Sequence, residues 1–134
     1  MKKVLEAHPR KASLDVNALA LTAGEVNACA QTCTACADAC LGESDIKPLL
    51  RCIKVNQDCA DACHAAANML VRFTEWDWDV VSEQLRACAE ICRICAAECR
   101  KHASKHAHCA ACADTCDSCT RRCMQMVERE PVRV

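Results

Sequence analysis

Cysteine returns along this chain at steps of four and three residues, and that spacing limits the available folds more than any other feature. Cys29, Cys33, Cys36 and Cys40 step by four, three and four, and Cys88, Cys92, Cys95 and Cys99 repeat the pattern. Cys52, Asn56, Cys59 and Cys63 keep the same register with an amide in one slot, and Cys109, Cys112, Cys116, Cys119 and Cys123 carry the last set. At about 100° per residue, each of the first three sets spans roughly 60° of a helix and the fourth about 80°. Each set is therefore one stripe along one helix, placed where a helical bundle keeps its core.

The rest of the sequence agrees with helix. Of 134 residues 24 are Ala, the best helix former, and only two Gly and three Pro interrupt. The breaks that remain divide the chain. Leu41-Gly42-Glu43-Ser44-Asp45 separates a first helix, about 14 to 41, from a second, about 45 to 73, with Ser44 or Asp45 as its N-cap and Pro48 in its first turn. Phe73 to Asp79 reads as a connection, Asp77 or Asp79 capping a third helix over about 78 to 102. The turn from His102 to His108 leads into a fourth helix, about 106 to 128, before Pro131. Short connections between long helices predict an all-α, antiparallel up-down-up-down four-helix bundle, a single domain over 1–134 with a short N-terminal arm and a Cys-lined core.

Alternating chain direction gathers the thiols in one half of the bundle, the half closed by the 41 to 47 and 102 to 108 connections. The stripes continue the other way into Val26, Leu70, Val81, Leu85 and Val127, with Leu19, Leu21 and Met126 nearby, an apolar plug. Trp76 and Trp78 are expected to cover the plug end or an oligomer contact. Composition supports this division: Leu, Ile, Val and Phe together number 24, too few for an ordinary core, while Cys numbers 16. A net charge of −1, with no basic run interleaved with aromatics, argues against nucleic acid. Charged residues near the N-terminus interrupt any signal-peptide core, and no stretch approaches the ~18 apolar residues of a membrane helix. The expectation is a cytoplasmic protein in which disulfides are disfavoured.

Buried Cys can serve as a small hydrophobe, but sixteen oxidisable thiols on four matched stripes are a poor way to fill space. Cβ atoms at i,i+3 or i,i+4 lie about 5 to 6 Å apart, too far for an unstrained intrahelical disulfide. Soft thiolates select Cu(I), zinc or iron–sulfur clusters. Zinc and iron–sulfur sites usually gather four thiolates from loops, whereas continuous stripes isolate no sets of four. Two or three thiolates satisfy Cu(I), and about one monovalent ion per thiolate leaves a neutral core. Multiple Cu(I) ions suit both geometry and charge. A thiol-based metal sensor or redox buffer and a Zn(II)-binding structural protein are the alternatives; no catalytic centre is expected.

The paired CxxxCxxC stripes, Glu98-Cys99-Arg100-Lys101-His102 and His106-Ala107-His108-Cys109-Ala110-Ala111-Cys112 resemble the cytosolic copper storage proteins over about residues 14 to 128. The resemblance implies storage and sequestration of many Cu(I) ions in a bundle core, a homotetramer of bundles, and access through one polar end. It also implies ligands beyond sulfur at Asn56, His102 and His108. On the residues alone, His102 continues the third stripe, three residues after Cys99. His108 falls off its stripe, His106 reads as a turn residue, and His64 as surface. The partners expected are Cu(I), further copies of the chain, and a copper chaperone or small thiol for exchange.

Overall fold

The computed structural model describes residues 1–129, so Pro131 lies outside the described residues. A short helix α1 (Lys2–Glu6) precedes four long ones: α2 (Val16–Leu41), α3 (Leu50–Val71), α4 (Trp78–Arg100) and α5 (Ala107–Val127). Each long helix packs on its neighbours in sequence and α2 closes the ring on α5. With connections this short, consecutive helices run antiparallel. The expected bundle is present, and the N-terminal arm is helical over one turn. Among the described residues no helix is long and apolar enough to cross a membrane.

Helix starts differ from expectation in an instructive way. α2 opens on Asp15, whose carboxylate accepts from Asn17 N–H at 3.2 Å and satisfies one of the free donors of the first turn. Neither Ser44 nor Asp45 caps the second long helix. Pro48, lacking an N–H, sits instead in a 3-10 turn, Lys47–Leu49, closed by Leu49 N–H donating to Ile46 O at 2.8 Å. The backbone itself thus makes the entrance turn. Asp77 does stand at the N-cap of α4, but its main-chain carbonyl receives Val80 N–H and Val81 N–H at 2.9 and 3.0 Å, and its side chain makes no capping bond.

The interior has two halves. Leu19, Val26, Leu70, Leu85 and Met126 are wholly or almost wholly buried and, with Val81, form the apolar plug. Val127 is only half-buried, and Leu21 is 50% exposed. Two residues after Leu19, Leu21 is about 200° round the helix and turns to solvent. The plug end is closed from outside: Leu5 of α1 is buried, His8 stacks on Phe73 with ring centroids 4.4 Å apart, and His8 Nε2 meets Thr74 Oγ1 at 3.0 Å. Trp76 and Trp78 continue this aromatic group, Trp76 donating its ring N–H to Met69 O at 3.2 Å. The other half of the interior is sulfur.

Candidate metal centre

All sixteen cysteines are buried and unpaired by disulfides. Their sulfurs touch along and across the helices. Within helices, Cys29 and Cys33, and Cys59 and Cys63, stand 4.0 Å apart. Between helices the approaches are closer: Cys63 to Cys88 at 3.3 Å, Cys33 to Cys116 and Cys59 to Cys92 at 3.5 Å, Cys52 to Cys99 at 3.8 Å, and Cys112 to Cys33 at 3.9 Å. With metal–sulfur bonds of about 2.3 Å, three sulfurs around one ion sit about 4 Å apart. Small rotamer adjustments therefore suffice for thiolates here to share ions.

The sulfurs group into overlapping sets whose ligand atoms lie within 4.8 Å of one another. Toward the plug these are Cys29, Cys63, Cys92 and Cys119, then Cys29, Cys33, Cys59 and Cys116; further up come Cys33, Cys95, Cys112 and Cys116, then Cys36, Cys99 and Cys112. Cys29, Cys33, Cys112 and Cys116 are each shared between these sets, so the sets form a chain rather than separate centres. Cys123, beside Cys119 and Cys88, extends the sulfur toward the plug. Burial pushes the Cys109 thiol up to about 12, helped by the nearby Cys40 and Cys99. Hydrogen bonds to Cys119 and then burial likewise raise Cys63 and Cys92. These thiols hold their protons at neutral pH, and a metal must displace them.

At the mouth the histidines take roles that wheel geometry did not assign. His108, in the first turn of α5, joins Cys36, Cys40 and Cys109 in one set; its Nδ1 lies 3.5 Å from Cys36 Sγ and 3.6 Å from Cys109 Sγ. His102 instead directs Nε2 to within 3.5 Å of Glu98 Oε1, and no hydrogen-bond partner, sulfur included, reaches that nitrogen. α4 ends at Arg100 and residues 101–105 form turns, so a stripe extrapolated past Cys99 loses its register. His106 is the N-cap residue of α5 and pairs with Glu43, while His108 Nε2 is 4.0 Å from the same carboxylate. His102 Nε2 and His108 Nε2 are both buried, and apart from these carboxylate approaches neither has a hydrogen-bond partner.

Two residues carry no assignment in the sequence reading. Glu98, 7% exposed, is flanked by Lys101 at 3.0 Å and Arg51 at 3.9 Å. Burial alone would raise its carboxyl, but Lys101 and His102 hold it below its ordinary value. Its i,i+4 spacing to His102 is a signal legible in sequence. Glu43 has no such signal, because only the return of the chain at the 101–106 connection brings it to His106. Asn56 lies within the sulfur, fully buried, hydrogen-bonded to thiols of three helices. His64 is exposed.

Comparison with known proteins places this arrangement. The family described as Copper storage protein matches residues 16–128. The structure superposes with a TM-score of 0.90 on the copper storage protein Ccsp from Streptomyces lividans loaded with 10 copper equivalents, at 42% identity over 94% of this chain and 96% of that one. A Streptomyces lividans cytosolic copper storage protein holding five coppers gives a TM-score of 0.83 at 44% identity, covering 85% of this chain and 95% of that one. The cysteine-rich protein YhjQ of Bacillus subtilis (strain 168) is 38% identical over 98 residues, 73% of this chain and 85% of its own length. With a bundle, a sulfur core, a family match over residues 16–128 and relatives that cover 73 to 94% of its length, the chain belongs to the copper storage protein family.

Proposed function

We propose that this protein stores and sequesters many Cu(I) ions in the cytosol on the thiolates of its core. One observation carries the reading: the buried, unpaired thiols of all four long helices form overlapping sets with sulfurs in contact. Such a chain accepts ions in twos and threes and lets each move by ligand exchange to the next set. Cu(I) suits it because low coordination numbers and a single charge neutralise buried thiolates one for one. The ligands are Cys29, Cys33, Cys36, Cys40, Cys52, Cys59, Cys63, Cys88, Cys92, Cys95, Cys99, Cys109, Cys112, Cys116, Cys119 and Cys123. His108 serves at the mouth, and His102 assists there. Ions enter and leave by the polar end, exchanging with a small thiol or a copper chaperone. No catalytic step is involved.

The reading includes action as one bundle domain over residues 1–134 and assembly as a homotetramer, which sedimentation of the apo and loaded protein tests. The storage claim is tested by anaerobic titration of the reduced apoprotein with Cu(I) against a chromophoric chelator. The expected end point is on the order of one ion per cysteine. Saturation at about four ions or fewer, or Zn(II) displacing Cu(I) at equal concentration, would instead favour a structural zinc protein.

A further inference from the structure

Asn56 interrupts the thiol stripe of α3, and its contacts define what it does there. Its Nδ2 donates to the Cys52 carbonyl at 2.8 Å, and this bond orients the amide, since the reverse orientation would press Oδ1 against that carbonyl oxygen. Oδ1 is then the acceptor, receiving S–H from Cys112 at 3.0 Å and from Cys95 at 3.3 Å, one for each lone pair. Nδ2 also faces Cys52 Sγ at 3.4 Å and Cys99 Sγ at 3.5 Å, two sulfurs themselves 3.8 Å apart. One amide therefore divides four thiols by hydrogen-bond direction. Cys95 and Cys112 donate to it; Cys52 and Cys99 accept from it.

Resting on the storage reading above, we propose that Asn56 is a positioning residue that sets the order in which these four thiols take metal. An ion bridging Cys52 and Cys99 leaves the amide's bonds in place, because a metal-bound thiolate sulfur still accepts from N–H. An ion bridging Cys95 and Cys112 expels both S–H protons, which pass to the thiolates released by the incoming copper complex. Copper stays Cu(I) throughout, and no electron moves. Oδ1 then loses both donors in a buried site, and an unsatisfied buried acceptor is costly. The Cys52 and Cys99 pair fills first, and the Cys95 and Cys112 pair follows. With both of its ends engaged, the amide is not itself a ligand at low loading.

Two measurements test this. In the apoprotein, S–H stretching spectra should contain two bands shifted by the Asn56 amide oxygen, distinct from that of Cys36, whose thiol faces the His108 carbonyl at 3.7 Å. One disappears in Cys95→Ala, the other in Cys112→Ala, and both return to the unshifted position in Asn56→Leu. In crystals given substoichiometric Cu(I), anomalous scattering should show the Cys52 and Cys99 pair occupied about tenfold over the Cys95 and Cys112 pair. Asn56→Leu should abolish that preference. Unshifted S–H bands in the wild-type protein, early filling of Cys95 and Cys112, or copper bound to Oδ1 at low loading would overturn the proposal. If Asn56→Leu fails to fold, the two cysteine variants, which keep the amide, still decide the band assignment. A wild-type protein saturating at about four ions or fewer would defeat the storage reading, while the apoprotein spectra would judge the amide independently.

Discussion

His102 and His108 show how a residue's role depends on where a helix stops. On a continuous wheel His102 follows Cys99 and His108 leaves the stripe, yet it is His108 Nδ1 that faces Cys36 and Cys109, whereas His102 Nε2 faces Glu98. His108→Ala is accordingly expected to slow uptake of the first Cu(I) equivalents about tenfold or more, through loss of one imidazole ligand at the mouth. His102→Ala should slow it less, and stopped-flow mixing with a Cu(I) donor measures both. The thiols supply a second test. Burial pushes Cys109 up to about 12, and hydrogen bonds to Cys119, then burial, raise Cys63 and Cys92 above their ordinary range, so at neutral pH ligation at these thiols expels protons. Protons compete with copper, and affinity must fall as pH falls. Loading in weakly buffered solution should acidify it, as a pH indicator records, and a pH-independent affinity would contradict buried, protonated thiols.

The helices divide their labour between holding the bundle and lining it. Asp15 is a side-chain cap of ordinary worth, and Asp15→Ala should cost about 1 kcal/mol in chemical denaturation. The surface pairs Arg122 with Glu25 and Arg100 with Asp117 join α5 to α2 and α4, but exposed ion pairs contribute at most about 1 kcal/mol each. The plug matters more. Leu85 is fully buried among the aliphatic side chains, and Leu85→Ala should destabilise by about 2 to 5 kcal/mol without reducing copper capacity, since it removes no sulfur. The long helices were legible to within a few residues because Ala, sparse breakers and the four-three spacing all favour one periodicity. Their starts were not, because the 3-10 turn at Pro48 and the carbonyl cap at Asp77 satisfy the backbone without the polar side chains that mark a start in sequence.

The whole molecule joins an aliphatic half that needs no ligand to a sulfur half that is closely packed. Removing copper should therefore leave helicity nearly unchanged in far-ultraviolet circular dichroism, because the plug, the Ala-rich helices and the aromatic closure at Phe73, Trp76 and Trp78 persist. Ions that bind only the folded state raise its stability by mass action, so the Tm should climb with each equivalent added until saturation. A loss of helix on copper removal would mean that metal, not the plug, holds the bundle together.

The local sequence carried the four helices, the thiol stripes, the half of the bundle that holds them and the class of metal, because each follows from helix propensity, spacing along one helix, short connections and the chemistry of sulfur. Contacts between helices answered to no such rule. Which sulfurs meet across the core, how the Asn56 amide faces four of them, and which mouth histidine reaches a thiol depend on the rotation and axial shift of each helix against its neighbours. Those quantities are set by packing and by where the connecting turns reset the register. The tertiary structure therefore decided the order within the sulfur core, after the local sequence had already placed sulfur there.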